Sequence, residues 1–332
     1  MKPDNKSAFW AAAEASNEIL KFYHCREFTS TKPIPSSGFL FHYTTADGLK
    51  GIIEKNELWA TSAYFLNDSS EISYGCGVLR EVLDFWIAQN SNRSASLSLR
   101  LAQDIRKSFG DDASPSIYVA CFCEKDDLLS QWRAYGQSGG YSFGFKVPAS
   151  DMSRGFKPEA STYTAKWVKV HYDRSEQVKK CRSVLDSVLA MSDNPKIAQA
   201  IADFDSHPQV GYPVFQRLLI DILLEEIVSF KNKAFAVEEE WRVVVRQREL
   251  VKQGTDDGGK LPAPINFRSS KGVLIPYIRL IPTSPPEKLP IACIRSGPTL
   301  EKATTAMGVR MMLEKNGFPN VQIEGSDIPV RL

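Results

Sequence analysis

Three short stretches of this sequence combine residue types that can do chemistry. The first is His42-Tyr43-Thr44, at the end of the apolar run FLFHYT. A histidine followed by two hydroxyls can orient sugar or amide oxygens, although the local sequence alone favours an ordinary structural histidine. The second is SQWRAYG, holding Ser130, Gln131, Trp132, Arg133 and Tyr135. Ser130 and Gln131 suit uncharged polar groups, Arg133 suits phosphate or carboxylate, and either aromatic can wall a ring-binding slot. A packed structural corner is the competing reading. The third is the run Glu238-Glu239-Glu240 before WRVVV. In an extended chain Glu238 and Glu240 share one side, with Arg242 beyond them on the same side to neutralise them. Two carboxylates on one face either meet solvent or serve a polar cleft, because burying them without donors is unfavourable.

Other chemistries lack their residues. The chain has 4 histidines and 6 cysteines. No HExxH and no compact Cys/His set is present, so no metal site is expected. Cys121 and Cys123, alternating in YVACFC, fall on one face of a strand and read as buried thiols. Gly259-Lys260-Leu261 is not a phosphate loop, and SQW lacks the glycines of a nucleophile elbow. Asn67, Asp68 and Glu71 could line a polar site, but their spacing also suits a helix cap.

The elements that must position these groups alternate between helical and extended periods. FLFHYT is a strand candidate, Thr45 to Lys55 a helix buried through Leu49, Ile52 and Ile53, and ELWAT a second strand. His42 then lies near the end of the first strand of a strand-helix-strand unit. Helices are expected through Val78 to Trp86 and from Leu99 to Phe109, and a strand pair at IYVACFC and GGYSFGFKV flanks SQWRAYG. AKWVKVHY, WRVVV, GVLIPYIRL, KLPIACIRSG and NVQIEGSDIPV read as further strands. Helical segments are expected within Ser175 to Phe204, around Leu218 to Glu225, and from Thr304 to Lys315. Residues 7–23 read as an N-terminal helix, and STKPIPSSG after it supplies turn residues, so the main body is expected to start near Gly38.

With 332 residues the chain can bury a sizeable core, and 41 basic against 39 acidic side chains give no nucleic-acid coat. Local basic groups at 166–169 and 179–182 leave a nucleic-acid-binding module as one alternative. RLLIDILLEEIVSF is broken by Asp221, Glu225 and Glu226, so no membrane span is expected, and the cytoplasm is the expected compartment.

The motifs FHYTTADGLKGIIEKNELWAT, FLNDSSE, YVACFCEKDDLLSQWRAYG, GGYSFGF and EEEWR, with the closing SDIPVR, resemble the bacterial family called domain of unknown function 2971. That family in turn resembles the ADP-ribosyltransferases. The resemblance implies an α+β fold with a split mixed or antiparallel β-core, a helical extension over 1–37 packed on the body, and one domain over 38–332. Helical insertions are expected at about 75–110 and 174–234.

The resemblance also implies chemistry. The cofactor would be nicotinamide adenine dinucleotide (NAD), with His42 holding a ribose and Tyr43 and Thr44 as adjacent contacts. Glu240 would be the catalytic carboxylate that stabilises charge on the sugar as nicotinamide leaves, and Glu238 its companion. Tyr135 is the first choice for the central aromatic and Tyr64 the alternative, while Ser130 would represent the serine of another branch. Asn67, Gln131, Trp132 and Arg133 complete the cofactor-binding set, with Arg133 toward the pyrophosphate. The implied activity is ADP-ribosyl transfer to a protein or nucleic-acid acceptor, in a bacterial toxin or phage-defence setting, with a neutralising or regulatory partner. NAD hydrolysis and a non-catalytic NAD-sensing module are the alternatives.

Overall fold

The computed structural model describes residues 38–66, 70–92, 96–108, 117–135, 139–146, 156–160, 163–191, 194–195, 212–247, 265–270, 272–283 and 287–329. The N-terminal extension and Asn67 lie outside the described residues.

The chain opens with β1 (Phe39–Thr45), α1 (Ala46–Lys55) and β2 (Leu58–Ser62). The Thr45 hydroxyl caps α1 by accepting from the Gly48 N–H at 3.3 Å, and Leu49, Ile52 and Ile53 form its buried stripe. Asn56 ends the helix in the left-handed region at φ 56°, a conformation asparagine tolerates. A short 3-10 turn (Ala63–Phe65) follows, then α2 (Ser70–Asn90) and α3 (Leu97–Ser108). After β3 (Ile117–Cys123) come α4 (Leu129–Tyr135), β4 (Gly140–Lys146), β5 (Phe156–Pro158), β6 (Tyr163–Lys169), α5 (Arg174–Ala190) and α6 (Tyr212–Ile227). A 3-10 turn (Lys233–Glu238) leads into β7 (Glu240–Gln247), followed by β8 (Asn266–Ser270), β9 (Val273–Pro282), β10 (Ile291–Ser296), α7 (Lys302–Lys315) and β11 (Gln322–Gly325).

All these strands belong to one 11-stranded mixed sheet, and β3 is its junction. One edge of β3 pairs with β7 along its whole length, from Ile117 opposite Arg246 to Cys123 opposite Glu240. The other edge is shared. β1 meets it only at Cys123, opposite Phe41, while β2 meets it at Tyr118 and Val119. The two strands therefore diverge. β1 leads into a wing of β4, β10 and β11, and β2 into a wing of β9, β5 and β8. The fold class is the α+β arrangement expected, with parallel pairing between β10 and β11 and antiparallel pairing elsewhere in the paths described.

Burial on both faces explains why IYVACFC reads as an almost unbroken apolar run. Val119 and Val244 face helices α2, α3, α5 and α6, whose Leu79, Leu83, Leu101, Leu185 and Leu223 build one core. Tyr118, Ala120, Phe122, Trp241 and Val243 face a second core with Leu40, Phe143, Phe145 and Leu280. A small third cluster of Tyr43, Cys123 and Trp132 lies beneath α4.

Candidate functional site

His42 sits where β1 parts from β3. Its Nδ1 lies 2.8 Å from the Cys121 carbonyl, which has no hydrogen to give, so Nδ1 carries the proton and donates. Burial lowers the pKa of the ring, partly offset by that bond. At neutral pH the imidazole is therefore uncharged, and its Nε2 is an acceptor suited to a hydroxyl.

Across β3, the entrance to β7 is a knot of buried charge. Glu239 adopts a left-handed conformation, φ 45°, between the 3-10 turn and the strand. Glu238 is therefore not extended, as the run of three glutamates alone suggests. It meets Glu240 through a cation instead. Lys231 Nζ reaches Glu238 Oε2 at 2.7 Å, Glu240 Oε2 at 2.9 Å and Glu71 Oε1 at 2.9 Å. Arg242, whose alternation with Glu240 is as read from the sequence, donates from Nε to Glu240 Oε1 at 2.8 Å and from Nη2 to Glu240 Oε2 at 3.1 Å. It also pairs with Glu71 and donates through Nη1 to the Val228 carbonyl at 2.6 Å. Tyr172 Oη accepts the Glu240 backbone N–H at 2.9 Å.

Three carboxylates thus face two cations, so the ionised cluster carries one surplus negative charge. Burial alone raises the pKa of Glu240, but Arg242 and then Lys231 outweigh it and bring the value down to about 2. Burial likewise lowers that of Lys231, and Glu240, Glu71 and Glu238 more than reverse it. Glu238 moves the other way: burial raises its pKa, against the pull of Lys231. At 15% side-chain exposure Glu238 is the most open carboxylate of the knot, where Glu240 retains 6%.

The knot and the histidine are linked through β3. Burial raises the Cys121 thiol well above its ordinary range, and the charge of Glu240 adds to this. The carbonyl of the same residue holds His42. β1 and β7 flank β3, which puts their backbones about 10 Å apart. Their side chains take different faces. Glu240 and Arg242 pair with Cys123 and Cys121 on the face of the helices and α4. The His42 ring packs on Phe122, centroids 5.5 Å apart, on the face of the second core.

The SQWRAYG residues lie on α4, over the β1 wing. Trp132 is buried, edge-on to Tyr43 with centroids 4.7 Å apart, and its Nε1 donates to Asp127 Oδ1 at 2.7 Å. Both its ring and its N–H are thereby committed to packing. Tyr43 is fixed in the same way, donating from its hydroxyl to the Lys125 carbonyl and accepting from the Leu128 N–H, each at 2.9 Å. Tyr135 is partly buried against this cluster, and Arg133 is exposed. Gln131 and Thr44 are half-buried. The Ser130 hydroxyl is buried with no hydrogen-bond partner among the described residues. Tyr64 packs against the helical core from the turn after β2.

Several residues of the site carry no local signature. Lys231, between α6 and the glutamates, becomes its central cation only through folding. Glu71, which the sequence offers as part of a cap, is instead the third carboxylate. EKDD before α4 is a set of anchors. Glu124 accepts from Lys169 at 2.6 Å and from Trp241 Nε1 at 2.7 Å, while Asp126 pairs with Arg295 at 2.7 Å. Asp127 holds Trp132 and also the Ser326 hydroxyl at 2.6 Å, tying α4 to the closing SDIP segment. Three acidic residues beside one short helix were the available signal. Among the described residues no group of three or more His, Cys, Asp or Glu could hold a metal ion, and no helix is long and apolar enough to cross a membrane.

Comparison with known proteins gives one family and no reaction. No curated protein and no solved structure matches the chain. The family model described as "Protein of unknown function (DUF2971)" matches residues 131–243, from Gln131 of α4 through Glu240 to Val243 of β7. Over that segment, which holds β4 to β7 with Lys231, Glu238, Glu240 and Arg242, the chain is similar to the family whose motifs it resembles.

Proposed function

We propose that this protein binds NAD at the fork of its sheet and transfers the ADP-ribosyl group to a protein or nucleic-acid acceptor. The observation that carries the reading is the junction at β3. Within three residues of one strand, Cys121 fixes a neutral histidine on one edge and Cys123 pairs with the carboxylate-bearing Glu240 on the other. A neutral His42 with Nε2 as acceptor suits a ribose hydroxyl, and the preorganised anionic cluster on the other face of β3 suits a sugar that becomes positive as nicotinamide departs, so one ligand reaches both only by passing through the fork. The surplus charge of the knot would stabilise that state without an ion having to move in.

In this reading the two glutamates divide the work. Glu240 is locked by Arg242 and Lys231, so meeting a ribose hydroxyl directly would require one cation to give way. Glu238, more open and with a raised pKa, can face the ligand and help to orient or deprotonate the acceptor. Glu240 keeps the knot ionised behind it. The saturation of Glu240 also favours a second reading, an NAD-binding module without turnover.

Incubation with NAD labelled in the adenylate half, with cell lysate and parallel measurement of nicotinamide release, separates these. The transferase reading expects label on a macromolecule, lost in Glu238→Gln and in His42→Ala. Free ADP-ribose with no labelled acceptor would make the protein an NAD hydrolase. Binding without release would make it a sensor. No binding of NAD would end the proposal.

A further inference from the structure

A tyrosine that the sequence did not single out sits at the knot. Beyond β6 the chain runs through Val170, His171 and Tyr172 to Asp173, which caps α5. Val170 gives its N–H to the Glu240 carbonyl at 2.9 Å. His171 bridges Phe230, giving its N–H to the Ser229 carbonyl at 2.8 Å and accepting from the Lys231 N–H at 3.1 Å. The buried Gln177 amide of α5 donates to the carbonyls of His171 and Lys231, at 2.6 and 2.9 Å. Tyr172 is thereby fixed between the Lys231 segment and the start of β7, and its hydroxyl accepts the Glu240 backbone N–H at 2.9 Å.

The hydrogen bonds of the knot leave two groups over. The Lys231 ammonium has three hydrogens and one oxygen of each of three carboxylates within 2.9 Å. Buried Arg242 spends Nε and Nη2 on Glu240 and Glu71, and Nη1 on the Val228 carbonyl. Both oxygens of Glu71 and both of Glu240 receive these donors. Lys231 meets only Oε2 of Glu238, so among the described residues Glu238 Oε1 has no donor, and the Tyr172 phenolic hydrogen has no acceptor. Glu238 is the most open carboxylate of the knot and Tyr172 is half-buried, so solvent reaches both. An open donor near an open acceptor selects among nucleophiles. Guanidinium and ammonium groups cannot accept the Tyr172 hydrogen, and a carboxylate has no hydrogen for Glu238. A hydroxyl oxygen does both with one atom.

We infer that Tyr172 and Glu238 together seat the hydroxyl of a serine, threonine or tyrosine side chain of a protein acceptor. This rests on the reading that the ADP-ribosyl group of NAD is transferred at this site. A protein is favoured over a nucleic acid because the surplus negative charge of the knot opposes a phosphate backbone. The acceptor oxygen forms its bond to the ribose carbon as the bond from that carbon to nicotinamide breaks, the electron pair leaving with the ring, which departs neutral. The hydroxyl proton passes to Glu238. Tyr172 keeps its own hydrogen and steadies the oxygen.

The test incubates the full chain and its Tyr172→Phe variant with NAD labelled in the adenylate half and cell lysate, locates the label by mass spectrometry, and measures NAD affinity by calorimetry. Label should sit on protein hydroxyls. Losing one hydrogen bond to the acceptor should slow transfer by Tyr172→Phe about 10-fold, while its NAD affinity matches that of the wild type. A fold defect from the freed Glu240 N–H would weaken NAD binding too, so slower transfer at unchanged affinity separates contact with the acceptor from a structural role. Label on arginine, lysine, cysteine or acidic side chains, or on nucleic acid, overturns the inference and leaves ADP-ribosyl transfer standing. Transfer by Tyr172→Phe at the wild-type rate, or a loss matched by weaker NAD binding, overturns it in the same way. No labelled acceptor with the wild type, whether or not NAD binds, overturns both.

Discussion

Replacing Glu240 by glutamine tests whether the knot at β7 is ionised as the geometry requires. In the folded protein Arg242 and Lys231 hold the Glu240 carboxyl at about 2 against an ordinary 4.5. At about 1.4 kcal/mol for each tenfold change in proton affinity, that difference is worth about 3 kcal/mol. The sign follows from the direction. A carboxyl whose folded pKa is depressed contributes its full stability above about pH 4.5, and loses it as pH falls toward about 2. Glu240→Gln leaves Glu71 and Glu238 against Lys231 and Arg242, an even balance, so the charges left behind still have partners. Urea unfolding, followed by the fluorescence of the buried Trp241 and the other tryptophans, should therefore show the variant about 3 kcal/mol less stable at pH 7. The gap should narrow steadily between about pH 5 and about pH 2, because protonation abolishes in the wild type what the substitution has already removed. Subtracting the two proteins cancels the titration of the other carboxylates to first order. A gap that is absent at pH 7, or that does not change with pH, would refute an ionised Glu240 in the folded state.

Four other outcomes follow from contacts and burial in the structure. Lys231→Met removes the cation shared by Glu71, Glu238 and Glu240, leaving Arg242 with the first and last of them, and should destabilise the protein by about 3–5 kcal/mol, measured by the same unfolding assay at pH 7. Tyr43→Phe removes the partner of both the Lys125 carbonyl and the Leu128 N–H, a loss of about 2 kcal/mol in unfolding free energy, with faster hydrogen exchange at Leu128. Asp127→Ala frees the Trp132 indole and Ser326 together, so exchange should quicken in both α4 and residues 322–329 while β6 and β7 are unchanged. Burial raises the Cys123 thiol to about 12 and Cys121 well above its ordinary range, so both should resist a thiol reagent at pH 8 in the native protein and react on unfolding.

The sequence by itself determined most elements and one face. Thr45 and the i, i+3, i+4 spacing of Leu49, Ile52 and Ile53 define α1 locally, because capping and a buried stripe need only neighbours along the chain. The alternation of Glu240 and Arg242 likewise places them together, since the period of a strand is two. The apolar runs IYVACFC and WRVVV mark strands buried on both faces, and the structure pairs them along their full length.

Tertiary structure decided the rest, for a physical reason: a charge is read by its partners, and partners are chosen across distance. Lys231 looks like one of many surface lysines until folding sets it among Glu71, Glu238 and Glu240. Glu71 reads as a helix-cap residue until α2 carries it to Arg242, 171 positions away. Trp132 and Tyr43 offer ring surfaces in the sequence, yet packing and the anchors Asp127, Lys125 and Leu128 use them up. The short strands β5 and β8 escape a periodicity argument, because three and five residues acquire strand form only through the long β9 beside them. The division of the β3 edge between β1 and β2 is of the same kind. Both are ordinary strands in sequence, and only their competition for one row of hydrogen-bonding groups opens the fork.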